Sequence, residues 1–473
     1  MNAKALILAA GAGTRMKSDK PKVAHEILGK PLVRWVVDAA HEAGLDQVAC
    51  VVGHLREQVE PLVEGDTSIV FQAQRLGTGD AVNAARGACS EEDGSIAPGS
   101  VVVLSGDCPL IRAETIRALV GRRESTNAGC VVLTMELDDP FGYGRIVRDA
   151  AGAPDAVARI VEQKDASPEE AAIRECNAGF YCFDAPALFE ALSRVSNDNA
   201  QGEYYLTDVL GIMRADGREV CALTVDDPQE AMGVNSRAQL AEATAAMRRR
   251  INERHMAAGV TMWDPDNTWI GPDVEIGRDV ELWPQTYLLG STVVGARSVI
   301  GPNTRLTDTT VGQGCRVDET VAEGARLDDG ATSGPRAYLR PGAHLCEGAK
   351  AGTHVEIKKS TIGPGSKVPH LSYIGDTTMG ANVNIGAGAI TCNYDGVNKN
   401  RTTIGDDVFV GSDVMMVAPV NIGAGAIVGA ASCISRDVSP DALALERSDQ
   451  REVEGWASKH MAKLRAKKEA AKA

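Results

Sequence analysis

Near its end the chain reads Ile422-Gly423-Ala424-Gly425-Ala426-Ile427-Val428-Gly429, so a branched apolar residue followed by glycine returns after six positions. The same kind of pair occurs earlier at Ile270-Gly271, Ile276-Gly277, Val294-Gly295, Ile300-Gly301, Met379-Gly380, Ile385-Gly386, Ile404-Gly405 and Val410-Gly411. A six-residue repeat of this kind is typical of a parallel β-helix, in which the apolar side chain fills a narrow interior and the glycine permits a tight corner. We therefore predict such a coil, with loops leaving it near Thr309 and Gly396, where the register slips.

The first part of the chain has a different pattern, in which short apolar runs alternate with helix-like stretches. The apolar runs cover residues 5–8, 48–52 and 101–104, and the helical patterns cover 33–43 and 81–88. This alternation predicts an α/β domain with a mostly parallel sheet covered on both faces. The stretch after it lacks Pro and Gly and reads as one connecting helix. We predict four segments: an α/β domain over 1–235, a linker helix over 236–258, a β-helix over 259–447 and a tail over 448–473.

The composition sets limits on function. The 473 residues are 44% apolar and 24% charged, which is ordinary for a soluble globular protein of several domains. The net charge of −15 argues against nucleic-acid binding, although a local basic pocket could still take an anionic small substrate. No apolar run is long enough to span a membrane, and the start shows no export signal. The eleven cysteines are scattered singly, as expected for reduced thiols. We expect a cytoplasmic protein that does not insert into membranes, with a solvated basic tail.

The first apolar run leads into a loop of small residues, Leu8-Ala9-Ala10-Gly11-Ala12-Gly13-Thr14-Arg15-Met16, which Pro21-Lys22 follows. Small residues let the backbone pass close to a ligand, and backbone N–H groups hold phosphate oxygens. Arg15 and Lys22 supply the cations that a triphosphate needs. The loop matches neither the Gly-x-Gly-x-x-Gly fingerprint nor a Walker loop. By itself, it is also compatible with a plain turn between a strand and a helix.

The full string resembles the signature of the sugar-1-phosphate nucleotidylyltransferases. Further motifs of that family follow in order: Gln72, Leu76-Gly77-Thr78-Gly79, Gly106-Asp107-x-Pro109-Leu110, Gly142-Tyr143-Gly144-Arg145, Ile160-Val161-Glu162, Asn177-x-Gly179 and Gly233-Val234-Asn235. In this reaction a sugar phosphate oxygen attacks the α-phosphorus of a nucleoside triphosphate. Both reactants are anionic, so a divalent ion is needed to offset their charge.

The resemblance implies a Rossmann-like, GT-A-like mixed sheet and a set of site residues. It implies that Mg²⁺ is bound by Asp107 and Asn235. It implies a nucleotide site at Leu8, Ala9, Ala10, Gly11, Arg15, Lys22, Gln72, Gly77 and Thr78. It implies a sugar-phosphate site at Gly144, Glu162, Asn177 and Asn235. The sequence departs from the commonest family form at Ser105 and Cys108, where Tyr and Val are frequent.

The coil also contains residues suited to chemistry. Its motifs are Arg340-Pro341-Gly342, Val355-Glu356-Ile357-Lys358-Lys359, His370-Leu371-Ser372-Tyr373-Ile374-Gly375-Asp376, Asn382-Val383-Asn384-Ile385-Gly386-Ala387-Gly388 and Thr391-Cys392-Asn393-Tyr394-Asp395-Gly396. Arg340, Lys358 and Tyr373 offer hydrogen-bond donors to a phosphate, and His370 accepts a proton near neutral pH. A lone histidine is usually a surface or structural residue, but the neighbouring cations favour a site here.

With both halves considered, the chain resembles the bacterial bifunctional enzymes that acetylate glucosamine-1-phosphate and then uridylylate the product. These enzymes make UDP-N-acetylglucosamine for peptidoglycan and lipopolysaccharide, using acetyl-CoA and UTP and releasing pyrophosphate. The resemblance implies a left-handed coil that forms a homotrimer, with the acetyl site between subunits. It implies His370 as the general base. It implies sugar-phosphate binding by Arg340, Lys358, Tyr373 and Asn384, and acetyl-CoA binding by Ala387, Asn393, Tyr394, Ser412, Ala430 and Arg447.

Two other functions remain open at this point. One is a single-function sugar-1-phosphate nucleotidylyltransferase whose coil is structural or regulatory. The other is a scaffold of hexapeptide repeats without catalytic activity. His370 and the Asn393-Tyr394 pair weigh against the first, because a scaffold coil needs neither. The cations expected around Asp107 weigh against the second, because an idle domain would not need them.

Overall fold

The computed structural model describes residues 2–149, 152–199 and 201–471. The chain divides into two compact units. Unit 1 comprises Met1–His255 with Trp269–Pro272, and unit 2 comprises Met256–Thr268 with Asp273–Ala473. Within the described ranges, no helix is both long and apolar enough to cross a membrane.

Unit 1 is an α/β unit. Its strands are β1 (Ala3–Ala9), β2 (Glu26–Ile27), β3 (Lys30–Pro31), β4 (Gln47–Val52), β5 (Ser68–Phe71), β6 (Ser100–Ser105), β7 (Cys130–Glu136), β8 (Arg145–Arg148), β9 (Val157–Val161), β10 (Glu175–Asp184) and β11 (Val220–Thr224). Its helices are α1 (Leu32–Glu42), α2 (Arg56–Val63), α3 (Thr78–Ala84), α4 (Ala113–Thr126), α5 (Pro168–Ala171), α6 (Ala185–Leu192), α7 (Asp208–Ala215) and α8 (Arg237–Ala257). The predicted strands at 5–8, 48–52 and 101–104 are β1, β4 and β6. The helix predicted over 236–258 is α8, which belongs to unit 1 as far as His255.

The main sheet is mixed, with the order β11-β7-β10-β6-β1-β4-β5. Strands β6, β1, β4 and β5 are parallel, whereas β10 runs antiparallel between β6 and β7. The predicted parallel arrangement therefore holds for the part of the sheet that carries the glycine-rich loop. Both faces are buried: Ile7 packs into one apolar cluster and its neighbour Leu6 into another. Alternate residues of a strand point to opposite faces, which explains the continuous apolar run in β1.

Unit 2 is a three-sided parallel coil in which successive strands pass from sheet I to sheet II to sheet III. Sheet I contains Thr261–Met262, Glu281–Leu282, Val299–Ile300, Arg316–Val317, Thr332–Ser333, Lys350–Thr353, Lys367–His370, Asn384–Ile385, Phe409–Val410, Ile427–Val428 and Leu443–Ala444. Sheet II contains Thr286–Leu289, Arg305–Thr307, Val321–Glu323, Tyr338–Leu339, Glu356–Lys358, Tyr373–Gly375, Ile390–Cys392, Met415–Val417 and Cys433–Ile434. Sheet III contains Glu275–Ile276, Val293–Val294, Thr310–Val311, Arg326–Leu327, His344–Leu345, Thr361–Ile362, Thr377–Met379, Thr402–Ile404 and Val420–Ile422. A further short strand, Thr268–Ile270, precedes these sheets, and the tail forms α9 (Trp456–Ala470), which is exposed along its length.

The repeat explains the coil. Ile385, Val410 and Val428 lie in register in three successive coils, and all three are wholly buried. A Cβ atom on Gly386 would lie 2.4 Å from the backbone carbonyl carbon of Gly411. Gly386 does not have a left-handed backbone, so its small size is needed for the close approach of neighbouring coils rather than for a special turn.

The two predicted loop positions have different outcomes. Near Gly396 the prediction is confirmed, because Thr361 pairs with Thr378 but Thr377 pairs only with Thr402, and the intervening residues form an exposed loop. Near Thr309 the prediction is wrong, because Thr309 is wholly buried and no loop leaves the coil. The register slips there because the coil becomes shorter: Leu288 pairs with Leu306, but Leu306 already pairs with Ala322.

Candidate active sites

The nucleotide-loop residues line a cleft at the carboxyl ends of β1, β4 and β6. The Leu8 carbonyl accepts a 3.0 Å hydrogen bond from Gly106 N, and the Val52 carbonyl accepts one of 2.9 Å from Gln72 N. The cleft has a volume of about 370 Å³. It is lined by Leu8, Ala10, Gly11, Ala12, Lys22, Val23, Gln72, Arg75, Gly77, Thr78, Ala81, Ser105, Asp107 and Glu203. Of the predicted nucleotide residues only Ala9, which is buried, and Arg15, which lies in an exposed 3₁₀ turn, are not on its wall.

The predicted metal ligands converge on one cation. The Lys22 ammonium lies 2.5 Å from Asp107 Oδ2 and 2.9 Å from Asn235 Oδ1, and the three side chains are only partly exposed. Two oxygens from segments far apart in sequence thus face a common point of positive charge. A carboxylate and an amide oxygen are hard donors of the kind that suit Mg²⁺. The donor set therefore fits a divalent cation, with the remaining positions left to phosphate and water oxygens.

The three other sugar-site residues also come together. Asn177 N donates to the Gly144 carbonyl at 2.8 Å, and a Cβ on Gly144 would lie 3.6 Å from Glu162 Oε1. Asn177 Nδ2 donates to the Tyr181 hydroxyl at 2.7 Å, which fixes the amide. Burial raises the pKa of Glu162, and the nearby Asp165 and Asp208 carboxylates raise it further. A half-buried carboxylate beside a close-packed glycine is suited to hold the hydroxyl groups of a sugar.

The predicted sugar-phosphate residues of the coil share one face of sheet II. Arg340 follows Tyr338–Leu339, and its N–H donates to the Ile357 carbonyl at 2.8 Å, so Arg340 lies beside Lys358 one coil later. Glu356 pairs with Tyr373 in register. Asn393 Nδ2 lies 3.4 Å from the Tyr373 hydroxyl. Two cations, a phenol and an amide therefore line successive coils. Asn384 lies apart from them, in sheet I opposite Lys367.

His370 is at the corner where sheet I turns into sheet II. It ends the strand Lys367–His370, its side chain is exposed, and its carbonyl accepts a 2.7 Å hydrogen bond from Ser372 Oγ. Gly388 N approaches the same carbonyl at 3.4 Å, which places Ala387 next to this corner on the following coil. An exposed imidazole beside the Arg340–Lys358 face is free to meet a substrate amine.

The predicted acetyl-CoA residues continue up the same corner. Asp413 N donates to the Ala387 carbonyl at 2.7 Å, and Ala431 N donates to the Ser412 carbonyl at 2.9 Å. Arg447 Nη1 donates to the Ala430 carbonyl at 3.1 Å. Asn393 and Tyr394 stand at the start of the exposed loop, and Lys399 Nζ lies 3.9 Å from the centre of the Tyr394 ring. The residues thus form a column along the coil axis.

Sequence reasoning missed several residues that these sites contain. Arg75, Ser105 and Glu203 line the cleft of unit 1, and Glu203 comes from a segment remote from the nucleotide loop. In the coil, Asp376 Oδ2 accepts from Asn393 Nδ2 at 2.5 Å and lies 3.7 Å from Lys358 Nζ. The acid pairs two predicted ligands, and its place two residues after Ile374 on the Lys358 strand register was the available signal.

Comparison with known proteins identifies the family. A model described as "MobA-like NTP transferase domain" matches residues 5–210. A "Bifunctional protein GlmU" from Syntrophotalea carbinolica is 51% identical over 465 residues, covering 98% of this chain and 98% of that protein. Proteins of the same name from Caldanaerobacter subterraneus subsp. tengcongensis and Desulfitobacterium hafniense are each 48% identical, over 97% and 96% of this chain and 98% of each relative. The solved structure of UDP-glucose pyrophosphorylase complexed with UDP-glucose aligns with a TM-score of 0.42 and 22% identity, over 53% of this chain and 100% of that chain.

The curated relatives match both units, and each is described as bifunctional. The predicted fold is confirmed: a nucleotidyltransferase domain with a mixed sheet precedes a left-handed parallel β-helix. The predicted double activity is confirmed as well, and the single-function and scaffold alternatives fall away. The chain belongs to the GlmU family, and it is a bifunctional acetyltransferase and uridylyltransferase of UDP-N-acetylglucosamine synthesis.

Proposed function

We propose that unit 1 transfers the uridylyl group of UTP to N-acetylglucosamine-1-phosphate with Mg²⁺ held by Asp107 and Asn235. When bound, the ion offsets phosphate charge in the transition state. Lys22, which now faces both oxygens, is then free to neutralise a phosphate together with Arg15. The loop from Leu8 to Gly11, with Gln72, Gly77 and Thr78, holds the nucleotide. The convergence of the Asp107 and Asn235 oxygens on one cation is the observation that supports this proposal best.

In the same unit, Glu162, Asn177 and Gly144 orient the amino sugar so that its phosphate oxygen faces the α-phosphorus. A positioned acceptor turns a reaction between two anions into an intramolecular one, which removes much of its entropic barrier. The oxygen–phosphorus bond forms as pyrophosphate leaves. No residue needs to remove a proton, because a phosphate oxygen is already the nucleophile at neutral pH.

We propose that the coil acetylates glucosamine-1-phosphate, with His370 as general base. Arg340, Lys358, Tyr373 and Asn384 bind the sugar phosphate. Ala387, Asn393, Tyr394, Ser412, Ala430 and Arg447 hold acetyl-CoA. The imidazole accepts a proton from the substrate amine, the amine nitrogen attacks the thioester carbonyl, and the carbon–sulfur bond breaks to release CoA. The column of corner residues beside His370 supports this assignment.

We also propose that the enzyme acts in the cytoplasm as a homotrimer assembled through the β-helix. All eleven cysteines are free thiols, as expected for a reducing compartment. Sedimentation equilibrium of the full chain tests the assembly: a mass of three chains supports it, and a monomer that retains acetyl transfer contradicts it.

The two activities are tested separately. Thiol release from acetyl-CoA with glucosamine-1-phosphate reports acetylation, and pyrophosphate release from UTP with N-acetylglucosamine-1-phosphate reports uridylylation. We expect both, with pyrophosphate release dependent on Mg²⁺. Pyrophosphate release that is unchanged in excess chelator would contradict the proposed metal site.

Replacing Gly77 by alanine is expected to lower uridylyl transfer by ~10²-fold, the cost of displacing a positioning loop by about 1 Å. Gly77 has a φ of +118°, and an added Cβ would lie 2.6 Å from the Tyr204 carbonyl oxygen. Gly65→Ala is the matched control, because Gly65 has a φ of +100° but open space around it. Steady-state kinetics should show a large loss only for Gly77→Ala. Equal losses in both variants would mean that backbone strain alone is responsible.

Glu162→Gln is expected to stabilise the fold while weakening the enzyme. Because burial raises the pKa of Glu162 above its unfolded value, the ionised group destabilises the fold at pH values above the folded pKa. That destabilisation disappears below the unfolded pKa. The Tm of the variant should therefore exceed that of the wild type at neutral pH, and the two should converge in acid. Uridylyl transfer should fall ~10–100-fold, as expected when a charged hydrogen-bond acceptor is lost.

The exposed Glu64→Gln is the control for this experiment and should change neither property. A Glu162→Gln variant that is less stable than the wild type at neutral pH would show that the ionised carboxylate supports the fold.

A further inference from the structure

A cluster of a carboxylate, an imidazole and a thiol lies on the outer face of sheet III, outside both proposed sites. Asp328, His344 and Cys346 each offer one ligand atom, and these atoms lie within 4.8 Å of one another. Asp328 Oδ2 is 2.7 Å from His344 Nε2, and Cys346 Sγ is 4.0 Å from the same nitrogen. All three side chains are partly exposed, so solvent ions reach them. We propose that these three residues form a binding site for a zinc-like divalent metal ion.

The coil brings the three residues together by its register. Arg326–Leu327 pairs with His344–Leu345, and the Asp328 N–H donates to the Leu345 carbonyl at 2.8 Å. Leu327 and Leu345 are buried inside the coil, so the residues on either side of each point outward. His344 and Cys346 therefore share one strand face, and Asp328 stands beside them one coil earlier. The positions are fixed by two neighbouring backbones rather than by a flexible loop.

The donor chemistry selects the metal. Thiolate, imidazole and carboxylate are the ligands of zinc sites, whereas Mg²⁺ and Ca²⁺ prefer oxygen alone. Three protein ligands leave a fourth tetrahedral position for water. A cavity of about 370 Å³ borders Asp328 and gives access to it. On binding, the Cys346 thiol loses its proton, and the neutral imidazole keeps its proton on Nδ1 so that Nε2 faces the ion.

Arg326 acts as a supporting residue. Its Nε lies 2.7 Å from Asp328 Oδ1, which leaves Oδ2 directed at His344. Outer contacts of this kind orient a ligand before the metal arrives. The same geometry argues against a Cys–His–Asp catalytic triad. In a triad the acid and the nucleophile use different ring nitrogens, but here both approach Nε2.

The test is a Co²⁺ titration of the metal-free full-length enzyme in a non-thiol reductant. We expect a thiolate-to-cobalt absorption band that saturates at about one ion per chain and is displaced by Zn²⁺. This band does not report an all-oxygen site such as Asp107–Asn235. Cys346→Ser should lose the band and weaken Zn²⁺ binding by ~100-fold or more, the upper range for loss of a supporting contact. His344→Gln should weaken binding as well.

Cys433→Ser is the matched control, because Cys433 is an exposed thiol elsewhere on the same coil. It should keep the band unchanged. Zn²⁺ should also raise the Tm of the wild type and of Cys433→Ser but not of Cys346→Ser, because only a ligand that binds the folded state stabilises it. The proposal is overturned by the absence of a thiolate band in the wild type, or by a band that persists in Cys346→Ser.

Discussion

Asp107→Ala is expected to lower uridylyl transfer by ~10³-fold or more, which corresponds to about 4 kcal/mol of transition-state stabilisation. The carboxylate is the only charged member of the proposed metal site, and its loss leaves Asn235 to hold a divalent ion alone. The variant also leaves Lys22 without the carboxylate that lies 2.5 Å from its ammonium. Acetyl transfer should keep its wild-type rate, because His370 and its neighbours belong to a different unit.

The control for this substitution is Asp46→Ala, an exposed aspartate just before β4, at the opposite end of the strand from the cleft. It should retain both activities. Pyrophosphate release and CoA release, measured on the same preparations, separate the outcomes. Normal uridylyl transfer by Asp107→Ala would remove this residue from the metal site, and a loss of both activities would indicate misfolding.

His370→Ala is expected to reduce acetyl transfer by ~10²–10⁴-fold, the usual contribution of a positioned general base. The substrate amine is protonated near neutral pH and cannot attack the thioester until it loses a proton. Part of the activity should return at high pH, where solvent removes that proton. Uridylyl transfer should be unchanged.

His460→Ala, in the exposed tail helix, serves as the control histidine and should leave both rates unaltered. Initial rates of CoA release across the pH range provide the measurement. A change in acetyl transfer of less than threefold for His370→Ala would rule out the general-base role.

Much of the fold was predictable because local periodicity reflects packing directly. The six-residue spacing that ends at Val428 requires one buried side chain per face of the coil, and few other folds impose that spacing. The apolar run in β1 likewise predicts a strand buried on both faces. The antiparallel strand β10 could not be predicted from such patterns, because strand order depends on long-range pairing that an apolar run does not encode.

The candidate sites were predictable where their residues lie in compact motifs. Leu8 to Gly11 and Gln72 lie on one cleft because the motif and the strand ends coincide. The position of the Lys22 ammonium between Asp107 and Asn235 depends on three segments that only the folded sheet brings together. The short coil near Thr309 was misread because a register slip looks the same whether residues are gained or lost. Asp376 was missed because its role rests on partners one coil away.

The central claim is that one chain performs two reactions in order at two separate sites. A phosphorus NMR time course tests it directly, with purified full-length enzyme supplied with glucosamine-1-phosphate, acetyl-CoA, UTP and Mg²⁺. We predict a transient N-acetylglucosamine-1-phosphate signal followed by UDP-N-acetylglucosamine and pyrophosphate. A reaction that forms UDP-N-acetylglucosamine only when N-acetylglucosamine-1-phosphate is supplied ready-made would contradict the claim, because the coil would then have no acetyltransferase activity.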